Sequence, residues 1–275
     1  MSSMLGDQAD GLRRLFQNRE PQVVAFTSGR DDGGRTALLA QTARVLALTG
    51  QGVVAIDENS GPESLLAAYG LVVKHDLLEL AQGKRGLSEV ACPVLPSLTV
   101  VSAAKLANQT AAQAASLSNT AQRRLAQALD QMRSQASFVL VDCANQRAGH
   151  LSWLAASARH MAVVVAARGI AITQAYALIK QMAKSHGRDR FQIVVTQAKS
   201  NDDGRAIFEN MRKVARQHLS VRLDSLGVMT LGSNSHLADA LVQSLPPTLA
   251  KAAGMPAWPG DSALPDCLEP LDSMV

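Results

Sequence analysis

A short apolar run, a glycine-rich loop and a helix near the start of the chain constrain its fold most. Residues 23–26 are apolar and partly β-branched, which predicts a buried strand of a parallel sheet. Gly29, Gly33 and Gly34 follow, and apolar residues then recur at helical spacing over 36–49. This order is the usual setting of a phosphate-binding loop, where backbone N–H groups and the helix N-terminus bind anionic oxygens.

The loop departs from the common phosphate-loop pattern G-x-x-x-x-G-K-[ST] at one position. Gly29, Gly34 and Thr36 occupy its other fixed positions, whereas Arg35 replaces the lysine. Arginine keeps the positive charge, but its broad planar guanidinium is not equivalent to a compact ammonium in a tight loop. An ordinary strand-to-helix turn with a glycine at the helix start is the alternative interpretation.

Two carboxylates, Asp31 and Asp32, lie in the part of the loop that would surround a phosphate group. A carboxylate ~4 Å from a phosphate oxygen repels it by about 4 kcal/mol when the effective dielectric constant is about 20. We therefore predict a phosphate loop that has lost most of its affinity for phosphate.

The stretch T-S-G-R-D-D-G-G-R-T-A-L-L resembles the deviant phosphate loop of the MinD/ParA ATPases, S-G-K-G-G-x-G-K-T-[TN]. The resemblance implies ATP and Mg²⁺ as cofactors, with binding weakened by the substitutions. It also implies that Arg30 replaces the signature lysine, which reaches across a homodimer to the partner's nucleotide, and that Thr36 binds the metal. The nucleotide-binding residues that the resemblance implies are Gly29, Arg30, Gly33, Gly34, Arg35, Thr36 and Ala37.

Two further apolar runs end in an acid, as strands that lead to a nucleotide site do. Residues 52–57 end in Asp57, and Asn59 stands where the family has a second aspartate; an amide cannot act as a base. Residues 137–142 end in Asp142, which is either a relic of the Walker B acid near Mg²⁺ or a plain strand-end residue. The relic catalytic candidates are Arg30, Arg35, Asp57, Asn59 and Asp142, and the metal candidates are Thr36 and Asp142.

The N-terminal run D-Q-A-D-G-L-R-R resembles the motif D-Q-A-x-x-L-R of the FlhG/FleN flagellar-number regulators, a group within the MinD/ParA family. The resemblance implies that Asp7, Gln8, Leu12 and Arg13 bind FlhF, a signal-recognition-type GTPase. The alternative is a terminal helix that docks on its own domain. A second stretch, A-I-T-Q-A-Y-A-L-I-K at 171–180, also resembles this group.

Composition limits the partners and the compartment. The net charge of +4 comes from scattered basic residues, so nucleic acid is an unlikely partner. Three scattered cysteines suit a reducing compartment, and no apolar run approaches 18 residues, so we expect a cytoplasmic protein. The apolar stripe near 236–242 lacks basic residues on its other face, so membrane contact is weak or absent.

We predict an α/β fold with a doubly wound, mostly parallel sheet flanked by helices. Its strands lie near residues 23, 52, 98, 138, 161, 191 and 224. Helices are expected from Pro62 towards Tyr69, as a pair over 103–135, and near 171–180, 206–214, 235–243 and 246–252. Side chains expected in the core are Leu38, Leu39, Val139, Val141, Val163 and Val164.

The predicted organisation is a partner-binding helix at 1–20, a MinD/ParA-like domain at 21–253 and an irregular tail at 254–275. The function implied is a FlhG/FleN-like regulator of flagellar number and assembly that acts by binding partners. The alternatives are an active MinD/ParA ATPase in protein positioning or chromosome partitioning, and a partitioning protein that binds DNA nonspecifically.

Overall fold

A computed structural model describes most of the middle of the chain. The described residues are 19–29, 34–72, 74–109, 113, 117–144, 151–230, 236–245 and 248–249. The predicted partner-binding residues Asp7, Gln8, Leu12 and Arg13, the loop residues Arg30 and Gly33, and the tail at 254–275 lie outside them. The predicted domain boundaries stay predictions.

An eight-stranded sheet forms the centre of the fold, in the order β4-β5-β3-β6-β2-β7-β8-β9. Every neighbouring pair is parallel except β4 and β5, which confirms the predicted fold class. The strands are β1 Arg19–Glu20, β2 Gln22–Ser28, β3 Val53–Asp57, β4 Ala91–Leu95, β5 Leu98–Ser102, β6 Phe138–Asp142, β7 His160–Ala166, β8 Arg190–Ala198, β9 Arg222–Thr230 and β10 Thr248–Leu249.

Helices cover both faces of the sheet. Along β2, Val23 and Ala25 join the core beneath α6, α7, α8 and α9, and Val24 and Phe26 join the core beneath α1 and α10. All six side chains predicted for the core are buried. The helices within the described residues are α1 Arg35–Leu48, α2 Leu65–Ala68, α3 Leu77–Ala81, α4 Leu87–Val90, α5 Ala104–Ala107, α6 Asn119–Ser134, α7 Trp153–Ser157, α8 Gly169–His186, α9 Asn201–His218 and α10 His236–Ser244.

Two expectations for local structure were wrong, and a third is only partly described. Helix α2 begins at Leu65 rather than at Pro62, because the Ser64 hydroxyl accepts the N–H of Ala67 and caps the helix there. Over 103–135 the structure describes α5, Ala104–Ala107, and α6, Asn119–Ser134; residues 110–112 and 114–116 lie outside the described residues, so the helix pair stays a prediction. Within the helix expected at 246–252, Thr248–Leu249 forms a strand that pairs with β1. Arg19 and Glu20, the last two residues of the helix expected at 1–20, form that strand β1.

The parallel register brings the acidic strand ends together. Asp57 at the end of β3 lies directly opposite Asp142 at the end of β6, and Phe26 of β2 lies opposite Asp142 on its other side. Because the carboxyl ends of parallel strands share one edge of the sheet, this edge collects the predicted site residues. In the part of the chain that the structure describes, no helix is long and apolar enough to cross a membrane.

We predict that Leu39→Ala lowers the free energy of unfolding by about 2–5 kcal/mol, because the side chain is fully buried and its truncation leaves a cavity. Leu48→Ala is the matched control: it makes the same change in the same helix at a side chain that is 68% exposed. We expect it to cost less than about 0.5 kcal/mol. Urea unfolding followed by circular dichroism measures both, and equal losses would contradict the packing of α1.

Candidate functional site

The chain enters helix α1 through Gly34, whose backbone lies in the left-handed region with φ of 77°. Glycine reaches this conformation without steric cost, whereas most other residues are strained there. The Gly34 carbonyl accepts the first helical hydrogen bond, from Leu38 N at 2.9 Å. This turn places Arg35 and Thr36 in the first turn of α1, at the carboxyl edge of the sheet.

Gly29, at the other end of the loop, lies against helix α8. A Cβ atom on Gly29 would stand 2.7 Å from the Cβ of Gln174, so only glycine permits this approach of strand end and helix. Gln174 belongs to the stretch at 171–180 that resembles FlhG/FleN sequences. The structure therefore brings that stretch beside the start of the predicted phosphate loop.

Arg35 turns into the protein instead of facing outward towards a ligand. Its side chain is only 2% exposed, and its Nε atom donates to Asp142 Oδ1 at 2.7 Å. Its Nη1 atom lies 3.3 Å from Ser28 Oγ, and its Nη2 atom lies 3.4 Å from Asn59 Oδ1. One guanidinium group thus joins the ends of β2 and β6 to the residues that follow β3.

Asp142 has both carboxylate oxygens engaged. The Thr36 hydroxyl donates to Oδ2 at 2.7 Å, while Arg35 donates to Oδ1. Burial raises the pKa of Asp142, and the adjacent Arg35 charge opposes that rise. The amide of Asn59 donates to the Asp142 backbone carbonyl at 3.1 Å, which ties the turn after β3 to the end of β6.

The two metal candidates, Thr36 and Asp142, do not fit Mg²⁺ as they are arranged. Mg²⁺ requires free oxygen ligands at close to octahedral positions, but here the threonine hydroxyl donates to the carboxylate and a guanidinium covers its other oxygen. Among the described residues, no group of three or more His, Cys, Asp or Glu side chains is placed to hold a metal ion.

Asp57 stabilises the turn that follows it. Its Oδ1 accepts the N–H of Asn59 at 3.0 Å, and its Oδ2 accepts the N–H of Leu66 in α2 at 2.9 Å. Burial raises the pKa of Asp57 to about 6, although these two N–H groups favour the charged form. The carboxylate is therefore occupied with fixing the backbone between β3 and α2.

Glu58 is a buried site residue that the sequence did not single out. Its side chain is 1% exposed, its Oε2 accepts the N–H of Ala144 at 3.1 Å, and its Oε1 accepts the Ser152 hydroxyl. Burial raises the pKa of Glu58 to about 7, against the effect of these two donors. Its position directly after a strand end was the available signal, but an acid at that position is common in turns.

Apart from Gly29 and Gly34, which are described above, the residues predicted for the nucleotide site fall into three groups. Arg35, Thr36, Asn59 and Asp142 form one contact network, and Asp57 joins it through the Asn59 backbone. Ala37 is exposed on the first turn of α1. Arg30 and Gly33 lie outside the described residues.

Solved structures with the same fold are nucleotide-binding and cell-division proteins. A chain of the MinC:MinD cell division protein complex of Aquifex aeolicus has a TM-score of 0.57 at 19% identity, over 81% of this chain and 85% of that chain. A ParA family ATPase from Chlorobium tepidum has a TM-score of 0.54 at 15% identity, over 83% and 95%. Cobyrinic acid a,c-diamide synthase from Mycobacterium smegmatis, with bound ADP and magnesium, has a TM-score of 0.57 at 13% identity, over 82% and 93%.

The comparison of sequences gives a more specific relationship than the comparison of folds. No protein-family model matches the chain. The antiactivator FleN of Pseudomonas aeruginosa is 28% identical over 218 residues, which cover 79% of this chain and 76% of FleN. In sequence the chain is similar to FleN, and its fold is that of the MinD and ParA structures. The resemblance inferred from the phosphate loop and the N-terminal motif is thereby confirmed.

We predict that the contribution of Glu58 to the stability of this protein falls as the pH rises from about 4.5 to 7. Because the pKa of Glu58 is raised from 4.5 to about 7, the folded state holds a proton that the unfolded state releases in this window. The stabilisation is complete below the lower pKa and is lost as the pH rises through the higher one. Glu58→Gln should reduce the loss by about 2–3 kcal/mol.

The matched control for this prediction is Glu79→Gln. The pKa of Glu79 is lowered, mainly by the hydrogen bond from Lys105, so its contribution has the opposite sign and its removal leaves the fall in place. Urea unfolding at a series of pH values measures both variants. A Glu58→Gln protein with an unchanged pH profile would show that Glu58 does not titrate in this window.

Proposed function

We propose that this protein is a FlhG/FleN-like regulator of flagellar number and assembly, and that it acts by binding partner proteins rather than by hydrolysing ATP. The relationship to the antiactivator FleN supports a regulatory role. The buried ion pair between Arg35 and Asp142 is the observation that supports action without ATP hydrolysis.

The cost of opening this ion pair argues against tight ATP binding. In phosphate loops, the cation at the Arg35 position contacts the nucleotide phosphates. For Arg35 to do so, it would have to leave Asp142, which is fully buried. Removing one partner of a buried ion pair costs about 3–5 kcal/mol, which corresponds to a loss of at least about a hundredfold in affinity.

Magnesium would face the same obstacle. When bound beside a nucleotide, Mg²⁺ supplies positive charge to the phosphates, and Thr36 and Asp142 are the residues that would hold it. The two are hydrogen-bonded to each other, and Asp142 is also paired with Arg35. We therefore include a degenerate nucleotide site in the proposal: residues of the chain itself neutralise the charge of Asp142 and satisfy its hydrogen bonds.

The proposed partner is an FlhF-type GTPase, which residues Asp7, Gln8, Leu12 and Arg13 would bind. A side chain inserted into a GTPase site assists hydrolysis by positioning water and charge, as activating glutamine and arginine residues do in trans. This role does not need ATP turnover by the regulator itself. The proposal places the protein in the cytoplasm; a homodimer is compatible with it but not required.

The nucleotide prediction is tested by calorimetric titration with ATP and Mg²⁺. We expect binding too weak to saturate at millimolar ATP, and negligible hydrolysis. Asp31→Gly with Asp32→Gly should strengthen binding, because it removes carboxylates next to the phosphate position. Asp189→Gly, an exposed acid in another loop, serves as the control and should change nothing.

An active enzyme would give a different result. Magnesium-dependent ATP turnover comparable to that of a MinD-type enzyme, and abolished by Thr36→Ala, would reject the proposal in favour of the ATPase alternative. The bound ADP and magnesium of the cobyrinic acid synthase structure show that the fold itself admits both groups.

The partner prediction is tested with a peptide of residues 1–20. It should bind an FlhF-type GTPase and raise its rate of GTP hydrolysis, and Gln8→Ala or Leu12→Ala should abolish the increase. Gln17→Ala removes the same amide group outside the motif and should leave the increase intact. If neither the peptide nor the full chain alters hydrolysis, the segment is a terminal helix without this role.

A further inference from the structure

Glu58 connects two parts of the site that otherwise share few side-chain contacts. Its backbone N–H donates to the carbonyl of Asp142 at 3.1 Å, so the residue sits against the end of β6. Its side-chain carboxylate accepts hydrogen bonds from two other residues, from Ala144 N and from Ser152 Oγ. These two residues precede and follow residues 145–150 in the chain.

Ser152 carries this contact into helix α7. The Ser152 oxygen that donates to Glu58 also accepts the N–H of Ala155 at 3.1 Å, and so it caps the first turn. The far end of α7 is held independently, because Arg188 Nη2 donates to the carbonyls of Ala156, at 2.7 Å, and Ala158. A change at Glu58 would therefore act on the first turn of α7 and leave its last turn in place.

Glu58 also senses the charge of the ion pair. Asp142 repels the Glu58 carboxylate and Arg35 attracts it, and the two effects oppose each other while Arg35 stays paired. If Arg35 moves away, the repulsion is no longer offset. Asn59, the next residue, would also lose its contact with Nη2 of Arg35, which is one of the contacts that hold this turn.

We propose that Glu58 is a positioning residue that transmits the state of the Arg35–Asp142 pair to the first turn of helix α7. When the pair is closed, Glu58 holds Ser152 and the helix start is fixed. When Arg35 is withdrawn, the hold on Ser152 weakens and the first turn of α7 loosens. This inference rests on the ion pair of the proposed function and describes how a partner on α7 would sense it.

The experiment is a double-mutant cycle between Arg35 and Glu58, and the order of the first turn of α7 is the measured quantity. Trp258→Phe leaves Trp153, the first residue of α7, as the only tryptophan of the chain. Acrylamide quenching of Trp153 and hydrogen exchange at the Ala155 amide then report on the first turn. Arg35→Met withdraws the cation, and Arg35→Lys is the milder second variant if the first folds poorly.

We expect Arg35→Met to lower protection of the Ala155 amide by about fivefold or more, the size typical of coupled neighbours. In the Glu58→Ala background no side-chain acceptor remains at this position for the Ser152 hydroxyl, so Arg35→Met should change protection by less than about twofold. Glu63→Gln alters an exposed acid in the same turn region and should leave the effect of Arg35→Met at its full size.

Two outcomes would overturn the proposal. One is an equal effect of the arginine variants with and without Glu58, because a merely structural glutamate gives additive losses. The other is unchanged Trp153 quenching and Ala155 protection in both arginine variants. No nucleotide or GTPase is present in this experiment, so the proposed function and this link can fail separately.

Discussion

The arrangement of the site depends on the buried ion pair between Arg35 and Asp142. Two charges withdrawn from water are tolerated only when they meet each other and their remaining hydrogen bonds are satisfied. Ser28, Thr36 and Asn59 supply those bonds, each from a different segment at the carboxyl edge of the sheet. The result is a small network at the carboxyl edge of the sheet in which the two charges neutralise each other. Under the proposed function, an external phosphate group would have to compete with it.

Much of the fold follows from local sequence. Continuous apolar runs rich in β-branched residues identified six of the seven strands predicted for the parallel sheet, because strands buried on both faces have no polar alternation. Strand β9, at the sheet edge, contains no such run. Three strands escaped prediction for physical reasons. Strand β4 is an antiparallel edge strand containing Pro93, and Pro weakens any strand pattern. Strands β1 and β10 are two residues each and exist through pairing with one another, which local periodicity cannot reveal.

The sequence predicted which residues form the site better than it predicted how their side chains are arranged. Parallel strand ends share one edge, so Asp57, Asn59 and Asp142 were expected together. The direction of Arg35 was not, because it depends on the burial of Asp142, a tertiary property. Glu58 was missed for the same reason: an acid after a strand looks like a solvated turn residue until its surroundings are known.

The pairing of β1 with β10 brings the two ends of the described chain within one strand spacing of each other, with Arg19 opposite Leu249. They meet at the start of β2, whereas the phosphate loop leaves its far end, about 20 Å away along the strand. A short linker across this junction would join the ends without crossing the sheet, so the domain is a natural candidate for circular permutation. By the same geometry, a group attached directly before Arg19 would crowd one attached directly after Leu249.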